Sequence, residues 1–162
     1  MSDQPTSTLV TLARDVLAVV QSELTVQPGR AVLAPGVNVA WDDCCDGQLA
    51  VRVVNTVPQF QRNARQGCPV GFLVTLGVSL VRCVATVNDQ GQPPSEWEMD
   101  HDGTAMMRDM GQMATALQCY RPERALSSYL GEWVPLGPDG GCAGGEWTFT
   151  VLLDTGGLSW RG

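Results

Sequence analysis

Apolar residues recur at helical spacing from Thr8 to Leu24, at Leu9, Ala13, Val16, Leu17, Val20 and Leu24, while Asp15, Gln21 and Glu23 fall off that stripe. The pattern predicts an amphipathic helix, closed by the breaker pair Pro28-Gly29. Arg30 to Ala40 is short, β-branched and interrupted by Pro35-Gly36, which predicts weak strands on either side. Asp46-Gly47 lies between two apolar runs and reads as a hairpin-type turn. Gln48 to Val57 then alternates, with Leu49, Val51 and Val53 on one face, and predicts a strand. Pro58 to Pro69 reads as a polar loop that carries Arg62 and Arg65 and no acid.

Val70 to Val87 gives the strongest strand pattern. Phe72, Val74, Leu76, Val78 and Leu80 fall on one face, and the small residues Gly71, Thr75, Gly77 and Ser79 fall on the other. The run exceeds an ordinary strand, so a bend near Gly77 or a projection beyond the domain is expected. Gly91 to Pro94 is a turn. Ser95 and Glu98 have the spacing of a capping box, and a second helix follows with Met106, Met110, Met113, Leu117 and Tyr120 as its apolar stripe and an irregularity expected near Gly103. Pro122 is expected to stop that helix. Tyr129 to Leu136 is a strand, Gly137 to Gly145 a glycine-rich loop, and Glu146 to Leu153 a last strand with Trp147, Phe149, Val151 and Leu153 on one face. The chain after about residue 154 is expected to be loose. With no internal repeat and no linker, residues 1–162 read as a single domain. The element order predicts an α+β fold, a mixed or antiparallel sheet packed with two main helices.

Composition narrows the function. Of 162 residues, 44 % are hydrophobic and only 17 % charged, below the usual rough quarter, so part of the surface is expected to be covered by other subunits. All ten basic residues are arginine. A chain without lysine has no Schiff-base lysine, no lysine base and no P-loop lysine. The net charge of −7 argues against stable DNA binding, which needs a basic face to displace phosphate counterions. No stretch approaches the roughly 20 apolar residues of a membrane span. Met1 to Ser7 is polar and unlike a signal peptide, so synthesis in cytoplasm is expected.

Candidate chemistry is sparse. His101 is the one histidine. Its His-Asp dipeptide occurs in metal phosphohydrolases, but that chemistry needs further histidines, and an exposed or capping role is expected. Ser79 lacks the closing glycine of a nucleophile elbow and reads as packed in its strand. Asp42, Asp43 and Asp46 do not match an EF-hand loop, and the Gly137–Gly145 loop precedes a strand, unlike a phosphate cradle. The six cysteines are Cys44, Cys45, Cys68, Cys83, Cys119 and Cys142. Zinc sites space cysteines two to four residues apart in pairs, and the adjacent Cys44-Cys45 makes a poor chelate. The cysteines are therefore expected to be structural, free of metal and reduced at first. Cys83 and Cys119 should be buried. Cys44, Cys45, Cys68 and Cys142, in loops or turns, could approach one another, with connectivity open.

Two stretches are distinctive: Ala40–Arg52, with Trp41-Asp42-Asp43-Cys44-Cys45-Asp46-Gly47, and Gly131–Val151, with Glu132-Trp133-Val134-Pro135 and Gly140-Gly141-Cys142-Ala143-Gly144-Gly145-Glu146-Trp147. Together they cover about a fifth of the chain and resemble head-to-tail connector proteins of long-tailed actinobacteriophages. Within that group the element order is similar to tail terminators, which form a hexameric ring capping the tail tube. The stopper and adaptor proteins of the phage neck are the neighbouring alternatives. The resemblance implies a non-enzymatic virion protein at the head–tail joint, assembled in host cytoplasm, with no cofactor and no catalytic residue. The implied partners are its own copies, the tail tube protein and the head-completion or stopper protein, and DNA passes without specific binding. Candidate contact loops carry Phe60, Arg62 and Arg65, and Gly140, Gly141 and Gly144. The candidate structural motif is Trp41, Asp42, Cys44, Cys45, Trp133, Cys142 and Trp147. A reading from another class is a monomeric binding module with metal held by the cysteines.

Overall fold

Helix α1 (Thr8–Glu23) starts at Ser7, whose side-chain oxygen accepts the Val10 N–H at 3.2 Å and so satisfies a donor that every helix start leaves open. Leu12, Ala13, Val16, Leu17 and Val20 are its buried face, and Leu24 follows as the C-cap, 4 % exposed. The chain is described by a computed structural model over residues 7–36, 44–62 and 67–159. The remaining elements are β1 (Arg30–Leu33), β2 (Gln48–Gln59), β3 (Gly71–Cys83), α2 (Glu96–Gln118), β4 (Ser127–Asp139) and β5 (Cys142–Asp154).

The strands form one mixed sheet in the order β1-β2-β3-β5-β4. β1 runs parallel to β2, and the other pairings are antiparallel. Both helices lie on one face of the sheet, and the core between the layers joins Leu12, Val16 and Val20 of α1 and Met113 and Leu117 of α2 to Leu49, Val51, Val74, Leu76, Val78, Phe149, Val151 and Leu153. The fold is therefore α+β, as the element order predicts. The capping box of α2 forms: Glu98 N–H donates to the Ser95 hydroxyl, and the Ser95 N–H and hydroxyl donate to the Glu98 carboxylate. Those two donations hold the Glu98 carboxyl below its ordinary range.

Several boundaries differ from expectation. The Asp46-Gly47 turn is not a hairpin, because it leads from β1 into its parallel neighbour β2. β2 continues through Pro58 and Gln59, past the predicted loop boundary, after a bulge between Val53 and Asn55. Val53 keeps the face of Leu49 and Val51, opposite Leu76, and is nonetheless 45 % exposed. β3 ends at Cys83. α2 runs unbroken through Gly103 and ends before Pro122. Its methionine stripe is only partly core: Met113 is buried, while Met106 and Met110 are half-buried. The predicted Gly137–Gly145 loop is a hairpin whose connection is Gly140-Gly141, both at positive φ (56° and 79°). Two positive φ values suit the twist of flanking strands and favour glycine. The segment after Asp154 is not loose where it is described: the Leu9 N–H donates to the Gly157 carbonyl, and Leu158 packs on the core.

β3 carries no bulge against β5 at Gly77. Its register with β5 runs without a shift from Gly71 to Cys83. Gly77 instead opens a passage across the central strand. Arg52 of β2 is its register partner, and Glu146 of β5 reaches over it to receive Arg52 Nε and Nη2 at 2.8 and 2.7 Å. Both side chains of this pair are nearly buried, at 14 % and 10 % exposure, and the hydrogen bond to Glu146 raises the Arg52 pKa above its ordinary value. A β-carbon on Gly77 would stand 2.6 Å from the Glu146 carboxylate. Gly77→Ala is thus expected to push the carboxylate off Arg52 and to destabilise the fold by about 1–3 kcal/mol. Gly103→Ala, in a helix with open space at the β-carbon, is expected to stabilise it by roughly 0.5–1 kcal/mol. Denaturant unfolding of the two variants checks the opposite signs, and equal effects would count against the passage.

Candidate functional site

The sequence Cys44-Cys45-Asp46-Gly47 folds as a tight turn. Gly47 N–H donates to the Cys44 carbonyl at 2.9 Å, and Gly47 has φ +84°, a conformation that side chains resist. The turn is seated on the start of β1, since Gly29 N–H donates to the Asp46 carbonyl at 2.7 Å and Arg30 N–H to the Gly47 carbonyl at 3.2 Å. It thereby delivers two adjacent cysteines to the end of the sheet where β3 stops and β5 begins. There Cys83 and Cys142 are register partners. Cys44 is bonded to Cys142 and Cys45 to Cys83. Cys44 and Cys142 are each 3 % exposed and form a small second core with Val81, against which Leu136 packs.

Cys83 and Cys119 were both expected to be buried, and both are exposed. Cys83 is the last residue of β3, where the sheet gives way to the solvent-facing turn. Cys119 is the C-cap of α2 and, like the exposed Cys68, a free thiol.

Arg82, beside Cys83, points the other way and holds the neighbourhood together. Its Nε donates to Asp109 of α2 at 2.6 Å, and its Nη2 donates to the Val26 carbonyl at 2.6 Å. A β-carbon on Gly47 would stand 2.6 Å from Arg82 Nη1, so the glycine lets the guanidinium lie beneath the turn. Asp109 is 5 % exposed. A buried carboxylate is tolerable when paired and hydrogen-bonded.

Between this end of the sheet and the first half of α2 lies a cavity of about 370 Å³, lined mainly by Leu80, Val84, Met99, Met106, Trp133 and Pro138. Asp102 is at its wall and accepts the Ala85 N–H at 2.7 Å. Trp133 lies on Gly145, where a β-carbon would meet its ring at 2.0 Å. It tilts against Trp147 with ring centroids 5.5 Å apart, and Trp147 Nε1 donates to the Met110 carbonyl at 3.1 Å, tying β5 to α2.

Of the sequence-predicted structural motif, the fold brings together Cys44, Cys45 and Cys142 at one point and Trp133 and Trp147 at another. Trp41 and Asp42 lie outside the described residues. Among the contact candidates, Phe60 is 55 % exposed just past β2, and Arg62 is exposed. Arg65 lies outside the described residues. Gly140 and Gly141 form the β4–β5 turn. Gly144 belongs to no loop: it is buried in β5, where a β-carbon would meet the Leu80 carbonyl oxygen at 1.9 Å. It is a close-approach glycine of the sheet. His101 is exposed and stacked on Trp97 at 5.2 Å, and Ser79 is buried in β3, as expected of both.

No family model matches the chain, and no curated protein is detectably similar to it.

The two disulfides close sequence separations of 98 and 38 residues. In the chain-entropy view, cross-links over such spans stabilise a domain by roughly 2–5 kcal/mol. Reduction in zinc-free buffer is expected to lower the unfolding free energy by at least ~2 kcal/mol, while Cys68→Ser with Cys119→Ser leaves it nearly unchanged. Thermal melts with and without a phosphine reductant test this. An identical melting temperature in both would contradict the clasp.

Proposed function

We propose that the chain is a structural protein of the head–tail joint of a long-tailed phage, a tail terminator whose copies close into a hexameric ring on the tail tube. One observation carries this reading: many of the exposed large apolar residues fall on two separate elements. The arm formed by the far ends of β2 and β3 carries Val53, Val54, Val57, Phe60 and Val70, and the first half of α2 carries Trp97, Met99 and Met107, while Val26, Val87 and Leu126 are exposed elsewhere. Contiguous exposed apolar patches mark interaction surfaces, and a head-to-tail ring needs two different patches on each subunit. Edge strand β4 adds Tyr129 and Val134, both exposed, and its Pro135 and Pro138 withhold backbone donors from any strand that would pair there.

The setting at the phage neck is supported by the resemblance of the two tryptophan–cysteine stretches. An acidic balance suits a channel through which DNA must slide, because a basic lumen would hold it by many phosphate contacts. Arginines account for themselves within the fold at Arg52 and Arg82, which face carboxylates. Among the described residues no helix is long and apolar enough to cross a membrane.

Reconstruction of virions carrying this chain tests the proposal. Density for a hexameric ring between capsid and tail tube, with the β2–β3 arm and α2 in contacts and acids outnumbering arginines along the channel, is the expected result. Density in the capsid shell or at the tail tip defeats it. So does tight, salt-sensitive DNA binding by the purified chain.

A further inference from the structure

We propose that Cys44, Cys45, Cys83 and Cys142, when reduced, form a four-thiolate zinc site at the end of the sheet. The argument starts from convergence. Two cysteines come from one turn and two from register partners on neighbouring strands, so four sulfurs meet where two disulfides would need only two separate pairs. Cys44 and Cys83 are not bonded to each other, yet their sulfurs lie 3.7 Å apart. The sulfurs of Cys44, Cys45 and Cys83 all lie within 4.8 Å of one another, and that of Cys142 is joined to Cys44. A tetrahedral zinc with Zn–S near 2.3 Å places its sulfurs about 3.8 Å apart. The unbonded separation already has that length, and side-chain rotation at the other cysteines opens the rest.

The surroundings suit a soft structural site at the edge of the sheet. Val81 and Leu136 pack on Cys44 and Cys142, Cys45 and Cys83 face solvent, and four thiolates fill all the positions of a tetrahedral structural site. The nearby buried acids, Asp109 and Glu146, are held by Arg82 and Arg52, leaving thiolates as the donors. Thiolate ligands select zinc over magnesium or calcium, which take oxygen.

The two forms interconvert in balanced steps. Two equivalents of a small dithiol reduce the two disulfides, delivering four electrons and four protons to the protein sulfurs and leaving as two cyclic disulfides. Zinc binding then releases four protons to solvent as the thiols become thiolates. In the reverse direction, two equivalents of a small-molecule disulfide take the electrons. They leave as four thiols after taking up four protons, and Zn²⁺ is expelled. The site thus holds the turn in place in a reducing compartment and hands it to the disulfides in an oxidising one.

The full chain, reduced with phosphine, mixed with zinc chloride and freed of excess metal by gel filtration, is expected to retain about one equivalent of zinc. The oxidised chain should retain less than about a tenth of that. Cys68→Ser with Cys119→Ser should keep the metal, and Cys83→Ser should lose it. Cobalt titration of the unmodified reduced chain gives a readout that does not depend on how Cys83→Ser folds, with the sulfur-to-metal charge-transfer bands of a tetrahedral thiolate site expected. A reduced chain that retains no zinc overturns the proposal. So does zinc lost with Cys68 and Cys119, or a cobalt spectrum of octahedral oxygen ligation.

Discussion

The attachment of the Cys44–Gly47 turn to the ends of β3 and β5 is the constraint on which this end of the molecule depends. β1 is only four residues long, pairs with β2 alone and lies parallel to it. A parallel partner cannot be delivered by a tight hairpin, so the chain must make a crossover and return. The return is the turn itself, hydrogen-bonded through Asp46 and Gly47 to the start of β1. Two bonds from adjacent sulfurs fix the turn, and the turn fixes β1. Arg82 completes the arrangement from below, linking Asp109 of α2 and the backbone at Val26 to the underside of Gly47. Removing either anchor leaves a short edge strand held by its ladder to β2 and by Ala31 and Leu33 against the core.

The central strand plays two roles at once. Its apolar face supplies Val74, Leu76, Val78 and Leu80 to the core, while its small-residue face lets neighbouring strands interact across it. At Gly77 the absence of a side chain lets Arg52 and Glu146 pair. At Thr75 a hydroxyl meets Thr150 at 3.1 Å. The polar pairs therefore lie on the sheet face turned away from the helices, which also carries the small core of Cys44, Val81 and Cys142, and pairing makes burial of charge tolerable there.

How much of this the sequence reveals depends on the range of the interaction. Helix α1, the alternation along β3 and β5, and the Ser95–Glu98 box are local patterns, and each is legible as such. Gly77 is legible as an anomaly in a strand, but the side chain that requires it, Glu146, lies 69 residues further on and is not. The glycine run from Gly137 to Gly145 reads as a loop because composition does not distinguish turn glycines, such as Gly140 and Gly141, from close-approach glycines, such as Gly144. The approach of Cys44, Cys45 and Cys142 is legible from their turn positions, but Cys68 stays a free thiol and Cys83 takes its place in the cluster, which is hidden for the same reason. Adjacent Cys44-Cys45 has no zinc-type spacing, and only the β3–β5 register brings Cys83 beside Cys142. Arg82 and Asp109 carry no motif, and nothing in the sequence singles them out.

A turn clasped to two strands by disulfides holds its shape without a larger core. Non-reducing peptide mapping tests that clasp most directly. Cleavage after arginine places Cys44 and Cys45 in residues 31–52, Cys83 in 83–108 and Cys142 in 125–161. Digestion of the oxidised chain should give one assembly of these three peptides, with the peptides bearing Cys68 and Cys119 released as free thiols. Recovery of Cys68 or Cys119 in a disulfide, or of a 31–52 peptide joined to neither partner, would contradict it.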